Sequence, residues 1–175
     1  MNNEYEKVTM AMDLRRAHDI MGLLGWKGVD MVLYGSLGVS VYLGNFKDFG
    51  DADLLVAPEW MGDDWGDLQD IMTSLGFRLV DEKEHEFRGT DDESVAFAPL
   101  SIFDRDGIEF DPTHDIVDID VDGASIKTFT PELFRRAYEY SVKDGYRSEE
   151  RGKKDQLIID LLDTYMATKH EEGDA

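Results

Sequence analysis

Two carboxylates two residues apart, Asp51 and Asp53, head the run Asp51-Ala52-Asp53-Leu54-Leu55-Val56. In an extended strand, residues i and i+2 face the same side. The two charges then sit together, with no lysine in the run to neutralise them. A divalent cation relieves that repulsion, and hard carboxylate oxygens favour Mg²⁺. Upstream, a second apolar run, Asp30-Met31-Val32-Leu33-Tyr34, ends in Gly35-Ser36. A helix starting at such a bend offers free N–H groups to an anion, and glycine lets a phosphate approach the backbone. A phosphate cradle beside paired carboxylates suits phosphoryl or nucleotidyl transfer, where a metal offsets developing charge on phosphate oxygens.

These residues need elements to hold them. Residues 12–24 place Leu14, Ala17, Ile20, Met21 and Leu24 at helical spacing, and Gly25 stops that helix. Residues 30–34 and 51–56 read as strands. Residues 37–44 read as a short helix whose glycines imply close packing. An amphipathic helix with an acidic first turn follows over 63–75, then a strand over 77–80. Residues 81–93 read as a charge-rich loop. The pattern predicts a β-hairpin from 94–103 and 108–112 around the turn 104–107, and one or two short strands over 115–129. Thr130 as N-cap and Pro131 at N1 start a helix to residue 143. A last helix over 153–168 would bury Leu157, Ile158, Leu161, Leu162 and Tyr165. This order predicts an α+β fold, a mixed sheet flanked by helices. One domain over 1–168 and a flexible acidic tail over 169–175 are expected.

The 175 residues carry 39 Asp+Glu against 18 Lys+Arg, a net charge of −21. So acidic a surface argues against general nucleic-acid binding and suits a small or cationic partner. The chain has no cysteine, which excludes disulfides, thiol nucleophiles and thiolate-bound zinc. It shows no apolar leader and no run long enough to span a membrane, so the expected compartment is the cytoplasm. One segment runs the other way. Between 127 and 154, eight Lys or Arg stand against five Asp or Glu. That local excess suits a triphosphate, with Lys143 and Lys154 as candidate contacts.

The stretch from Tyr34 to Val56 resembles the signature of the DNA polymerase β-like nucleotidyltransferase superfamily. It is most similar to the small lincosamide and aminoglycoside nucleotidyltransferases, which modify antibiotics. The shared layout is Gly35-Ser36-Leu37-Gly38-Val39, then Leu43-Gly44, then Asp51-Ala52-Asp53. The resemblance implies a nucleotidyltransferase-like mixed sheet and an enzyme that moves a nucleoside monophosphate from an NTP such as ATP to a hydroxyl of a small acceptor. It implies two Mg²⁺ ions on Asp51 and Asp53, and β- and γ-phosphates on Gly35 and Ser36. It also implies a third carboxylate, which would complete the second metal site or take the acceptor proton. Ile108-Glu109-Phe110-Asp111-Pro112 is the matching place, with Asp111 assigned and Glu109 as the alternative. Residues Arg151 to Asp160, with Lys154-Asp155, resemble the family's late basic helix. The likeness spans residues 30 to 160. Two departures stand out: Ser36 replaces a second glycine, and Asp48-Phe49-Gly50 occupy the place of an Arg or His.

Plainer readings stand beside these. Asp-x-Asp also occurs as a turn or solvated strand edge, Ser36 as a simple N-cap, and Asp111 as an exposed strand position. The basic residues can form a solvated helix face. Asp118 to Gly123 mimics the start of a calcium loop, but the twelfth position is Phe129 and an acidic turn accounts for it better. The four histidines show no metal-ligand spacing, and only His114 follows a candidate acid closely. Trp60, Met61, Trp65, Leu68 and Met72 read as packing residues. Two rival functions are carried forward: a binding or regulatory module for a protein partner, as in toxin–antitoxin-type pairs, and AMP transfer onto a protein side chain. In so short a chain, acceptor binding could also draw on a second subunit of a homodimer.

Overall fold

The computed structural model describes residues 12–44, 51–144 and 149–173. The elements in chain order are α1 (Leu14–Trp26), β1 (Met31–Tyr34), α2 (Gly35–Leu43), β2 (Asp51–Val56), a 3-10 turn (Pro58–Met61), α3 (Trp65–Ser74), β3 (Arg78–Asp81), β4 (Glu86–Arg88), β5 (Ser94–Pro99), α4 (Ile102–Arg105), α5 (Pro112–Asp115), β6 (Ile116–Val121), β7 (Ala124–Phe129), α6 (Pro131–Lys143) and α7 (Glu149–Gly173). The strands form one sheet in the order β3-β4-β5-β2-β1-β7-β6. β1 runs antiparallel to β2 and parallel to β7, and β2 runs parallel to β5. The other neighbours are antiparallel. This is the mixed sheet with flanking helices that the element order predicts. Among the described residues, no helix is long and apolar enough to cross a membrane.

Strand alternation divides the apolar residues between two cores. Leu33, Ala52, Leu54, Val56 and Phe97 pack with Ala17, Ile20 and Leu24 of α1 and Leu68 and Met72 of α3. Trp60, Met61 and Trp65 lie against this core. On the opposite face, Val32, Leu55 and Phe129 pack with Leu133, Phe134 and Ala137 of α6 and Ile158 and Leu162 of α7. Caps fix the helix starts: Asp13 accepts from the Arg16 N–H at 2.8 Å, and Thr130 from the Leu133 N–H at 3.3 Å. The close packing expected of α2 is present at Gly38. A Cβ there would lie 2.8 Å from the Phe134 ring and 3.0 Å from the Leu33 carbonyl oxygen.

Three expectations give way. The hairpin over 94–112 does not form. β5 pairs with β2 and with β4, a strand inside the stretch read as a loop. Residues 102–105 are helical, and 108–111 lie in no strand. The cause is Phe103, which is fully buried against Tyr34, Phe110 and Phe129 at ring distances of 5.6, 4.8 and 5.3 Å. In addition, the Asp111 carboxylate takes the Thr113 N–H and Asp115 takes the Asp111 N–H, so local side chains satisfy donors a ladder would use. On α7, Leu157 and Leu161 are exposed, and the buried stripe is Asp155, Ile158, Ile159 and Leu162. That helix also continues to Gly173, past the end expected near 168.

The packing of 101–111 is testable. Phe103→Ala should cost about 3–5 kcal/mol in urea unfolding, the range for deleting a fully buried phenyl ring. A loss under about 1 kcal/mol would mean that Phe103 is not in the core.

Candidate functional site

The end of β1, the start of α2 and the first half of β2 meet at one point. Tyr34 pairs with Asp53 in the sheet register and is also the N-cap residue of α2. The helix therefore starts directly at the strand end, with Gly35 and Ser36 in its first turn. Gly35 adopts φ +68°, in the left-handed region that favours glycine. A Cβ at Gly35 would overlap the Asp53 carboxylate. Position 35 is thus limited to glycine twice, by backbone conformation and by the acid beside it.

Asp53 lies on the sheet face covered by α6 and α7. A cavity of about 290 Å³ opens there, and Gly35, Ser36, Asp53, Ser141, Arg151 and Lys154 are among its lining residues. Ser141 belongs to α6 and donates to Asp155 of α7 at 2.7 Å, which ties the two helices together at the cavity wall. Four of the residues picked from sequence, Gly35, Ser36, Asp53 and Lys154, share this cavity. Asp51 sits at the exposed start of β2, on the same face as Asp53.

The remaining candidates lie elsewhere. Lys143 reaches back to Glu139 at 3.2 Å and is 74% exposed, outside the cavity lining. Asp111 caps α5, and its segment is fastened to α6 by Arg136, which donates to the Glu109 carbonyl at 3.2 Å and pairs with Asp115 at 3.1 Å. Neither Asp111 nor Glu109 lines the cavity. The stretch 48–50, where an Arg or His was noted as missing, lies outside the described residues. Sequence reading passed over Tyr138 and Ser141 on α6, although their helical spacing with Ala137 was a usable signal.

It also passed over the acid that shares a row with Asp53. Asp53 pairs with Ala96 of β5, and Ala96 pairs with Glu86 of β4. Register partners point to the same face, so Glu86 and Asp53 face the same side with a methyl group between them. The next row is Asp51, Ser94 and Arg88. Ser94 donates to Glu86 Oε1 at 2.8 Å, and Arg88 Nε lies 3.6 Å from the same oxygen. Burial pushes the Asp53 carboxyl up to about 7, and the charges of Asp51 and Glu86 push in the same direction.

The donor set fits a hard divalent cation. Asp51 and Asp53 offer carboxylate oxygens on one face, and Asp53 is raised first by burial and then by the neighbouring carboxylates, a charge cost that a bound cation would offset. Among the described residues, no group of three or more acidic or imidazole side chains could hold a metal ion, so these two carboxylates would need oxygen ligands from outside the protein to complete a coordination shell.

No protein-family model matches the chain. It is 29% identical over 143 residues to the uncharacterized protein YnaI of Bacillus subtilis (strain 168), covering 78% of this chain and 86% of that protein. Two solved structures share its architecture. The antibiotic-resistance factor ANT(2'')-Ia matches with a TM-score of 0.54 and 15% identity, over 93% of this chain and 95% of that one. An antigenic nucleotidyltransferase-like protein from Paracoccidioides brasiliensis matches with a TM-score of 0.56 and 14% identity, over 92% and 90%. The chain has the nucleotidyltransferase fold.

The Asp53 environment has a pH signature. A carboxyl raised to about 7 holds its proton more readily folded than unfolded. Its contribution to stability is present below about pH 4 and falls as pH rises to about 7. Asp53→Asn removes that fall and should stabilise the metal-free protein at pH 8 by up to about 4 kcal/mol. Thermal melts in chelator from pH 4 to 8 check this, and superimposable curves for variant and parent would refute it.

Proposed function

We propose that this chain is a Mg²⁺-dependent nucleotidyltransferase that moves a nucleoside monophosphate from an NTP to a hydroxyl of a small acceptor. The observation that carries the reading is the meeting, in one cavity, of the α2 N-terminus, Asp53 and the side chains of Arg151 and Lys154. The first-turn N–H groups of α2 bind and orient the terminal phosphates, which Gly35 allows to approach the backbone. Lys154 and Arg151 face those phosphates from α7. Asp51 and Asp53 would hold the divalent ion, which when bound polarises phosphate oxygens and offsets the charge that develops on them. The acceptor oxygen bonds to the α-phosphorus, the bond from that phosphorus to the bridging oxygen breaks, and pyrophosphate leaves.

The net charge of −21 supports a cationic acceptor, and an antibiotic-resistance factor shares the fold. We therefore favour an aminoglycoside- or lincosamide-like acceptor. A second reading, a nucleotide-binding module without transfer activity, draws on one observation. β5, the strand beside β2, presents only Ser94 and Ala96 opposite the two aspartates.

Calorimetry with Mg²⁺ and a non-hydrolysable ATP analogue, followed by pyrophosphate release across an acceptor panel, tests the proposal. Asp53→Asn should lower turnover about 10²–10³-fold or more, the scale for losing a key electrostatic contact at a reacting phosphate. Lys154→Ala should raise the KM for NTP about tenfold, as loss of one charged phosphate contact does. Full turnover in Asp53→Asn would discard the enzyme, and binding without any pyrophosphate release would favour the module.

A further inference from the structure

We propose that Glu86, facing the site across Ala96, is the base that takes the proton from the acceptor hydroxyl. The assignment rests on the transferase reading above and adds to it a residue of the second strand out from Asp53. In the step, the acceptor O–H bond breaks and its proton passes to the Glu86 carboxylate. The oxygen's electron pair forms the new bond to the α-phosphorus. The bridging P–O bond breaks, and its electrons leave with pyrophosphate. The proton on Glu86 then returns to water.

Three features of β4 support this role. First, the row Asp53–Ala96–Glu86 places the acid on the reacting face, two strand spacings from Asp53, roughly 10 Å between backbones. In that row only the Ala96 methyl group stands between the two carboxylates. Second, the side chain is anchored by one oxygen. Ser94 and Arg88 both approach Oε1, and among the described residues no partner is drawn to Oε2. At 23% exposure the group is sheltered yet reachable. Third, the backbone is shaped at this point. The pairing of β4 with β3 shifts register between Leu79 and Asp81, and His85, just before Glu86, sits at φ +52°. The Phe97 N–H donates to the His85 carbonyl at 3.2 Å, and the His85 ring meets Trp65 edge-on at 4.7 Å. Bulges and left-handed non-glycine residues re-aim side chains, and such strain persists where surroundings hold it. At the far end, the Gly89 N–H donates to the Glu93 carbonyl at 2.9 Å, and the buried Glu93 side chain pairs with Arg16 of α1 at 2.9 Å. Both ends of this three-residue strand are therefore fixed.

The test uses the full chain with Mg²⁺, ATP and a panel of hydroxyl acceptors (glycerol, ribose and an aminoglycoside), reading pyrophosphate release. α,β-Methylene-ATP binding is measured alongside by calorimetry. Glu86→Gln should lower kcat about 10²–10⁴-fold, the range for general-base catalysis, while analogue affinity and the KM for ATP stay within threefold. Ala96→Asp placed in the Glu86→Gln background should recover at least tenfold, because it returns a carboxylate to the same row. Asp111→Asn should change neither readout by more than threefold. Turnover by Glu86→Gln within threefold of wild type overturns the assignment, as does loss of analogue binding in that variant. Analogue binding by the wild type without pyrophosphate release also overturns it but leaves the nucleotide site standing. Failure of the wild type to bind the analogue removes both.

Discussion

Like charges held close on one face of a strand set the terms for the rest of this molecule. Asp51 and Asp53 cannot diverge, because the two-residue period of β2 aims them the same way and its pairing with β1 and β5 fixes the register. Burial of Asp53 raises the cost of its charge, and Glu86 adds to it. A protein selected for stability alone has no reason to keep such an arrangement, since apolar residues at these positions would extend the second core. Strain of this kind, concentrated at the mouth of a cavity that also holds a helix N-terminus and two cationic side chains, is what a site awaiting a charged ligand looks like.

The two cores divide the labour. The face built on α1 and α3 carries the larger apolar core, with the buried Glu93 neutralised by Arg16 of α1 at its margin. The other face is apolar near β1 and β7, where Phe103, Phe129 and Phe134 interlock, and becomes polar toward β2, β5 and β4. The candidate site sits at that transition. The aromatic cluster holds β1 and α6 rigidly at one edge of the cavity, while α7 brings Arg151 and Lys154 to the other. A rigid sheet on one side and a surface helix on the other resembles the division of work in many sites where charge must be positioned while ligands come and go.

The centre of the candidate site is legible in the sequence and its periphery is not, for physical reasons. Gly35-Ser36 and Asp51-Ala52-Asp53 could be read because a helix start and a strand period act over two or three residues, and local rules cover that range. Lys154 could be read as part of a cationic segment, whereas Lys143 in the same segment could not be told apart from it. The difference lies in Glu139, one helical turn away, which pairs with Lys143. Asp111 was expected at the site because Ile108 to Pro112 resembles the strand segment that carries the family's third carboxylate. The burial of Phe103 overrides that alternation, and Asp111 spends its carboxylate on the first turn of α5. Glu86 was hidden for the opposite reason. Its strand has a single buried apolar residue, Phe87, so no periodicity announces it, and its relation to Asp53 exists only across two ladders. Sheet register is a long-range property that no short window of sequence contains.

The crowding of Gly35 by Asp53 ties two positions far apart along the chain into one unit of heredity. While the carboxylate stays, any side chain at position 35 collides with it, and the left-handed backbone disfavours one besides. If the acid is lost first, half of that prohibition vanishes and position 35 is freer to drift. Once a larger residue has settled there, an aspartate can no longer re-enter. The pair works as a ratchet: descendants that abandon the chemistry accumulate bulk at the bend, and the route back closes behind them.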